Sequence, residues 1–123
     1  MAKTKESRLE EEIERFMNKR GIWQLARYQA QSNQNGLPDR LYLYKGLLLG
    51  LELKTDKGVP TILQLRKLKE INDNGGLGLI VRSADDVKNL IEIIDRINFS
   101  FGLPEARSYA VLQEWLKYEK RKN

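Results

Sequence analysis

The stretch LLLGLELK at residues 47 to 54 constrains this chain more than any other segment. Residues two apart on a strand share a face. Leu47, Leu49, Leu51 and Leu53 therefore make one wholly apolar side, and Leu48, Gly50, Glu52 and Lys54 make the other. Upstream, Asp39 is followed by Leu41 and Leu43 in alternation, and Lys45-Gly46 separates two hydrophobic runs as a short turn. This pattern predicts an antiparallel hairpin over residues 39 to 54. Closing it brings Asp39 beside Glu52 and Lys54. Two carboxylates and a lysine at a sheet end suit a hard divalent cation, which takes oxygen ligands, together with a fixed positive charge for a developing phosphate charge.

The flanking segments read as an α/β domain. Leu9, Ile13, Phe16 and Met17 repeat at helical spacing and Gly21 supplies a stop, so residues 6 to 20 form a helix. Glu6 lies close to its apolar stripe, and Glu10 and Glu12 flank that stripe. Residues 22 to 28 read as a strand and 29 to 36 as a polar loop. After a loop at 55 to 60, residues 62 to 74 form a helix with Ile62, Leu65, Leu68 and Ile71 inward, closed by Asn74-Gly75-Gly76. Residues 77 to 81 are a short apolar strand. Ser83-Ala84-Asp85-Asp86 resembles a capping box with Asp in the usual Glu position, and it opens a helix carrying Val87, Leu90, Ile91, Ile94 and Ile97. Pro104 starts a last helix with Tyr109, Leu112 and Leu116 on one side. The order predicts a mixed four-stranded sheet flanked by helices, with a right-handed crossover that sets the fourth strand parallel to a central one. The whole chain reads as one domain, with a core at about 5 to 97 and a helical extension at about 104 to 122.

Composition removes several chemistries. The 123 residues include no cysteine and no histidine, which excludes disulfides, thiolate or histidine-held zinc, and a histidine general base. Carboxylates and lysine remain for any hydrolytic work. No run approaches the ~20 apolar residues that span a bilayer, and the charged start has no signal-peptide core, so the expected location is the cytoplasm of a bacterial or phage-infected cell. Lys and Arg number 22 against 17 acids, a net charge of +5 that is compatible with a polyanionic partner. Residues 117 to 123 carry four cations against one acid, Glu119.

In order along the chain stand Glu6-Ser7-Arg8-Leu9-Glu10, Gly21, Gly36-Leu37-Pro38-Asp39, Glu52-Leu53-Lys54 and Gln64. This set resembles the PD-(D/E)XK nuclease superfamily, and more narrowly its virus-type replication-repair nuclease (VRR-NUC) domain, over about residues 5 to 95. The resemblance implies a restriction-endonuclease-like αβββαβ core and Mg²⁺- or Mn²⁺-dependent hydrolysis of DNA phosphodiesters. It implies Asp39, Glu52 and the Leu53 carbonyl as metal ligands. Glu6 would serve a second metal or its water, with Glu10 or Glu12 as rivals for that place. Lys54 would orient or deprotonate the attacking water and stabilise the transition state, and Gln64 would reach back to the site or to a phosphate.

Beside each role stands a structural one. Asp39 is also a turn residue after proline, Glu52 a partner for Lys54, Glu6 a helix-dipole acid, and Gln64 a surface residue. Arg27, Arg40, Lys57, Arg66 and Lys67 are candidates to line a duplex path, each against a reading as solvated charge. Stand-alone domains of the family resemble enzymes acting on branched DNA, so the leading expectation is a four-way junction resolvase. Two symmetric cuts then require a C2 homodimer, with the last helix as the pairing surface. The alternatives are a flap or nicking nuclease of phage replication or repair, and, in another class, a catalytically silent DNA-binding module.

Overall fold

Lys45 and Gly46 have φ values of 49° and 81°, the left-handed pair that a two-residue type I′ turn requires, and Tyr44 pairs directly with Leu47 across it. The computed structural model describes residues 3 to 27, 36 to 97 and 104 to 122. Its elements are α1 (Lys5–Lys19), β1 (Trp23–Arg27), β2 (Arg40–Tyr44), β3 (Leu47–Leu53), α2 (Ile62–Asp73), β4 (Leu77–Val81), α3 (Ala84–Arg96) and α4 (Pro104–Lys122). The sheet order is β1-β2-β3-β4, antiparallel up to β3 and parallel between β3 and β4. The order and the mixed sheet are those the sequence predicts. Tyr28 and the polar loop at 29 to 35 lie outside the described residues, as does the side chain of Arg27.

The two faces of the sheet are covered differently. Leu47, Leu49, Leu51 and Leu53 join Leu77, Leu79 and Val81 of β4 in one core with Leu9, Ile13 and Met17 of α1, the apolar side of α3, and Val111 and Trp115 of α4. On the opposite face α2 lies almost on the backbone. Gly50 and Gly78 are register partners there. A methyl group on Gly78 would stand 2.5 Å from the Leu68 carbonyl oxygen, and one on Gly50 would stand 2.7 Å from Ile71 Cδ1. Two aligned glycines thus let the helix settle where side chains would hold it off.

Three expectations change. Ile62 and Leu65 are exposed, because α2 meets the glycines through Leu68 and Ile71, while its first turn meets Gly36 through Leu63 and Glu52 through Gln64. In α4 the buried stripe is Ser108, Val111 and Trp115, with Leu112 and Tyr118 packed at its edge; Tyr109 and Leu116 are exposed. The stripe packed within the chain is therefore not the apolar side proposed for pairing, which keeps Tyr109 and Leu116 exposed. Trp23, by contrast, is 65% exposed on edge strand β1. Among the described residues no helix is long and apolar enough to cross a membrane.

The glycine contacts give a graded expectation. Gly78→Ala places its methyl group against backbone and should cost about 1–3 kcal/mol, measured by urea unfolding. Gly50→Ala meets a movable Ile71 end and should cost less. Equal midpoints for both variants and the parent would remove the close approach as a constraint.

Candidate active site

Asp39 stands immediately before β2, and the pairing of Arg40 with Leu51 sets it across from Glu52. Gly36-Leu37-Pro38 delivers it there. Gly36 takes φ +73° and passes so near α2 that a side chain would stand 2.7 Å from Leu63 Cγ, so only glycine suits both the backbone and the space. The Asp39 carboxylate is then fixed by the Leu53 N–H, which donates to Oδ2 at 2.9 Å.

Glu52 lies at the meeting point of sheet, helix and loop and is only 1% exposed. Its Oε2 accepts from Gln64 Nε2 at 2.8 Å and faces Lys54 Nζ at 3.6 Å. Its Oε1 is buried with no hydrogen-bond partner among the described residues. Gln64 is doubly engaged: its Oε1 accepts from the Thr61 N–H at 2.9 Å, while the Thr61 hydroxyl accepts from the Gln64 N–H, a capping box that opens α2. The same amide thus ends a helix and holds a carboxylate, and both contacts fix which end is oxygen.

Burial pushes the Glu52 carboxyl up to about 7; the nearby negative charge of Asp39 adds to this, and Lys54 opposes it. A carboxylate oxygen without a donor, beside a second carboxylate, is an arrangement that a cation relieves. The free oxygens are hard donors at a mouth of few carboxylates, which fits Mg²⁺ or Mn²⁺ and not a thiophilic metal. Asp39 and Glu52 are the pair that would hold it.

The other expected residues divide. Glu6 is exposed in the first turn of α1, and among the described residues no group of three acids converges as a metal site. Glu10 turns instead to Arg40 NH2 at 3.5 Å, where Glu14 joins at 3.3 Å. Arg40 is 3% exposed, so its charge neutralises α1 and does not face a duplex. Lys57 and Arg66 are exposed. Lys67 pairs with Glu70 at 3.2 Å and lines, with Leu37, Leu48 and Ile71, a cavity of about 470 Å³ between α2 and the hairpin. In the basic tail, Lys122 holds Asp86 at 3.0 Å and Lys117 holds Glu114 at 3.2 Å.

Sequence reasoning missed Arg82. Its NH1 donates to the carbonyls of Asp56 at 3.1 Å and Gly58 at 2.9 Å, tying down the loop against which Lys54 lies. The available signal was position: Arg82 directly follows β4, the parallel neighbour of β3, at the strand ends that carry the site.

The raised Glu52 pKa has a definite sign. Between the ordinary carboxyl value of 4.5 and about 7 the folded state holds more protons than the unfolded one, so metal-free stability falls as pH rises through that window. The loss is on the order of 3 kcal/mol. Glu52→Gln should therefore melt higher than the parent at about pH 8 and similarly at about pH 4, and a pH-independent difference would contradict the assignment.

No protein-family model matches the chain, and no curated protein matches it. A solved structure described as a VRR_NUC domain is similar to it, with 27% sequence identity and a TM-score of 0.60 over 73% of this chain and 97% of that one. The ordered motif, the sheet that carries it and this likeness agree, and together they support a VRR-NUC domain.

Proposed function

We propose that this protein is a metal-dependent DNA endonuclease that hydrolyses phosphodiester bonds at branched DNA, with the four-way junction as its leading substrate. The observation that carries the reading is the Asp39–Glu52 pair with its partnerless buried Glu52 Oε1 and Lys54 Nζ 3.6 Å from Oε2. A divalent cation, Mg²⁺ or Mn²⁺, would supply positive charge to the scissile phosphate between these carboxylates, with the Leu53 carbonyl as a further ligand.

The chain's own residues do the rest. Asp39 is oriented by the Leu53 N–H and Glu52 by Gln64, so neither carboxylate has to be ordered when substrate arrives. Lys54 brings an ammonium group to the same edge, where it offsets charge that grows on the phosphate oxygens as water adds to phosphorus. Hydrolysis adds hydroxide to phosphorus and breaks one P–O bond, and the departing oxygen takes a proton. Glu6, exposed in the first turn of α1, would serve a second metal or metal-bound water.

One chain offers one carboxylate pair, whereas paired incisions at a junction need two sites on one body, which supports a symmetric homodimer. The same single site also suits a flap or nicking nuclease, and the substrate assay separates the two. Labelled junction, flap and linear duplex should be compared with Mg²⁺ and Mn²⁺; junction resolution is expected to lead.

Asp39→Asn and Glu52→Gln should each lower cleavage at least about 10-fold, as expected for removal of a direct metal ligand, while DNA binding survives. Mg²⁺ should raise the melting temperature of the parent and not of Glu52→Gln. Cleavage above a tenth of the parent's in either variant would sink the two-carboxylate site. Mixing parent with excess Glu52→Gln protein should yield nicked and seldom resolved junctions; full resolution by that mixture, with monomers in light scattering, would move the flap or nicking nuclease to first place.

A further inference from the structure

The first turn of α2 is built as if to present apolar surface to something. Val59 is 80% exposed and Ile62 77%, with Leu65 beside Ile62 on the helix and also exposed. Isolated exposed leucines are ordinary, but this group stands at a particular place. Thr61, between Val59 and Ile62, is the N-cap of α2, and Gln64 bonds both the Thr61 N–H and Glu52 Oε2. The tip is therefore fixed to a catalytic carboxylate by one side-chain amide. On its other side the loop is held by Arg82 through the Gly58 carbonyl at 2.9 Å.

The charge around the tip says what kind of partner fits. Residues 57 to 69 contain Lys57, Arg66, Lys67 and Lys69 and no acid. Lys67 and Lys69 are paired with Glu70 and Asp73 farther along α2, at 3.2 Å and 2.6 Å. Lys57 and Arg66 are exposed and without an ion pair among the described residues. Two free cations flanking an apolar point match a polyanion that also offers flat apolar surface. A second copy of the same segment would set like charges against each other. Stacked duplex DNA hides its base faces, whereas a branch point exposes them.

We propose that Val59 and Ile62 form a wedge that contacts unstacked bases at a discontinuity in DNA, with Lys57 and Arg66 on the adjoining phosphates. This rests on the nuclease reading for its substrate class and adds to it the part of the chain that selects branched over continuous duplex. Apolar side chains inserted at base steps are an established way for proteins to hold distorted DNA, while the cations supply affinity without sequence or branch preference.

The test uses the full chain carrying Glu52→Gln, which holds cleavage off, with and without Val59→Ser and Ile62→Ser together. Binding is measured to a four-way junction with 2-aminopurine at the crossing and to a linear duplex of the same sequence. Both residues are almost fully exposed, so the urea midpoint should not change. The expected result is a loss of about tenfold in junction affinity, as for withdrawing one buried apolar side chain, with linear affinity nearly constant. The fluorescence rise on binding should vanish, and the salt slope should stay as it was. Lys57→Ala with Arg66→Ala should instead flatten that slope by about two and weaken both DNAs alike.

Equal losses on both DNAs, unchanged junction binding, or a parent with no junction preference and no fluorescence response would overturn the wedge. So would a serine variant that changes oligomeric state, since the patch would then face a second copy. The two readings fail separately. A parent that binds junctions by this tip but cleaves nothing with Mg²⁺ or Mn²⁺ loses the nuclease reading and keeps the wedge; one that cleaves with its selectivity untouched by the serine variant loses the wedge alone.

Discussion

A carboxylate 1% exposed at the end of a leucine strand is unfavourable by itself, and most of what surrounds the site is arranged about that fact. Glu52 is reached by Gln64 because α2 lies close to the sheet, and α2 lies close because Gly50 and Gly78 leave no side chains beneath it. The helix, in turn, is started by the same glutamine through its capping box. Replacing either glycine would raise the helix and move the donor of Glu52. Burial first, and then the negative charge of Asp39, keep the Glu52 carboxyl near 7. A leucine would fill that place without this penalty, and a strongly perturbed carboxyl in such a position marks a candidate functional site.

Two acids of the first helix are absorbed into structure, which keeps them apart from the site's own pair. Glu10 and Glu14 of α1 neutralise the buried Arg40, which follows Asp39 directly in the chain. Arg40 is thereby held inward, its NH1 donating to the Asp39 carbonyl at 3.0 Å. This arrangement fixes the backbone at the point where the Asp39 carboxylate emerges. A charge that reads in sequence as a DNA contact is in fact part of the support beneath the site, whereas Lys57 and Arg66 stand exposed.

The hairpin and its turn were legible because alternation, a Gly at the second turn position and a wholly apolar strand side each exclude other arrangements. The Asp39–Glu52–Lys54 convergence followed from the register alone. Periodicity was a poorer guide on helices, since it names a stripe without naming what covers it. Ile62, Leu65, Leu68 and Ile71 make a proper stripe, yet only its later half has sheet beneath. In α4 two stripes compete: Tyr109, Leu112 and Leu116 against Ser108, Val111 and Trp115. The bulk of Trp115, which fills the core beside α3, decides for the second.

The carboxy-terminal helix reaches the site through a chain of contacts that no motif reveals. Asp86, fully buried at the start of α3, accepts from Tyr118 at 2.6 Å and from Lys122, both on α4, and from the Arg82 N–H at 2.8 Å. Burial works against its charged form, but these donors outweigh burial and hold the carboxyl below its usual range. The Tyr118 hydroxyl is correspondingly pushed up, by burial and by that carboxylate. Arg82, set by Asp86 at its backbone, uses its guanidinium to fix the Asp56 and Gly58 carbonyls, and Gly58 lies 3.4 Å, at its would-be side-chain position, from the stem of Lys54. A helix that looks like an appendage to the nuclease core is thus bonded, through one buried aspartate and one arginine, to the loop against which Lys54 lies.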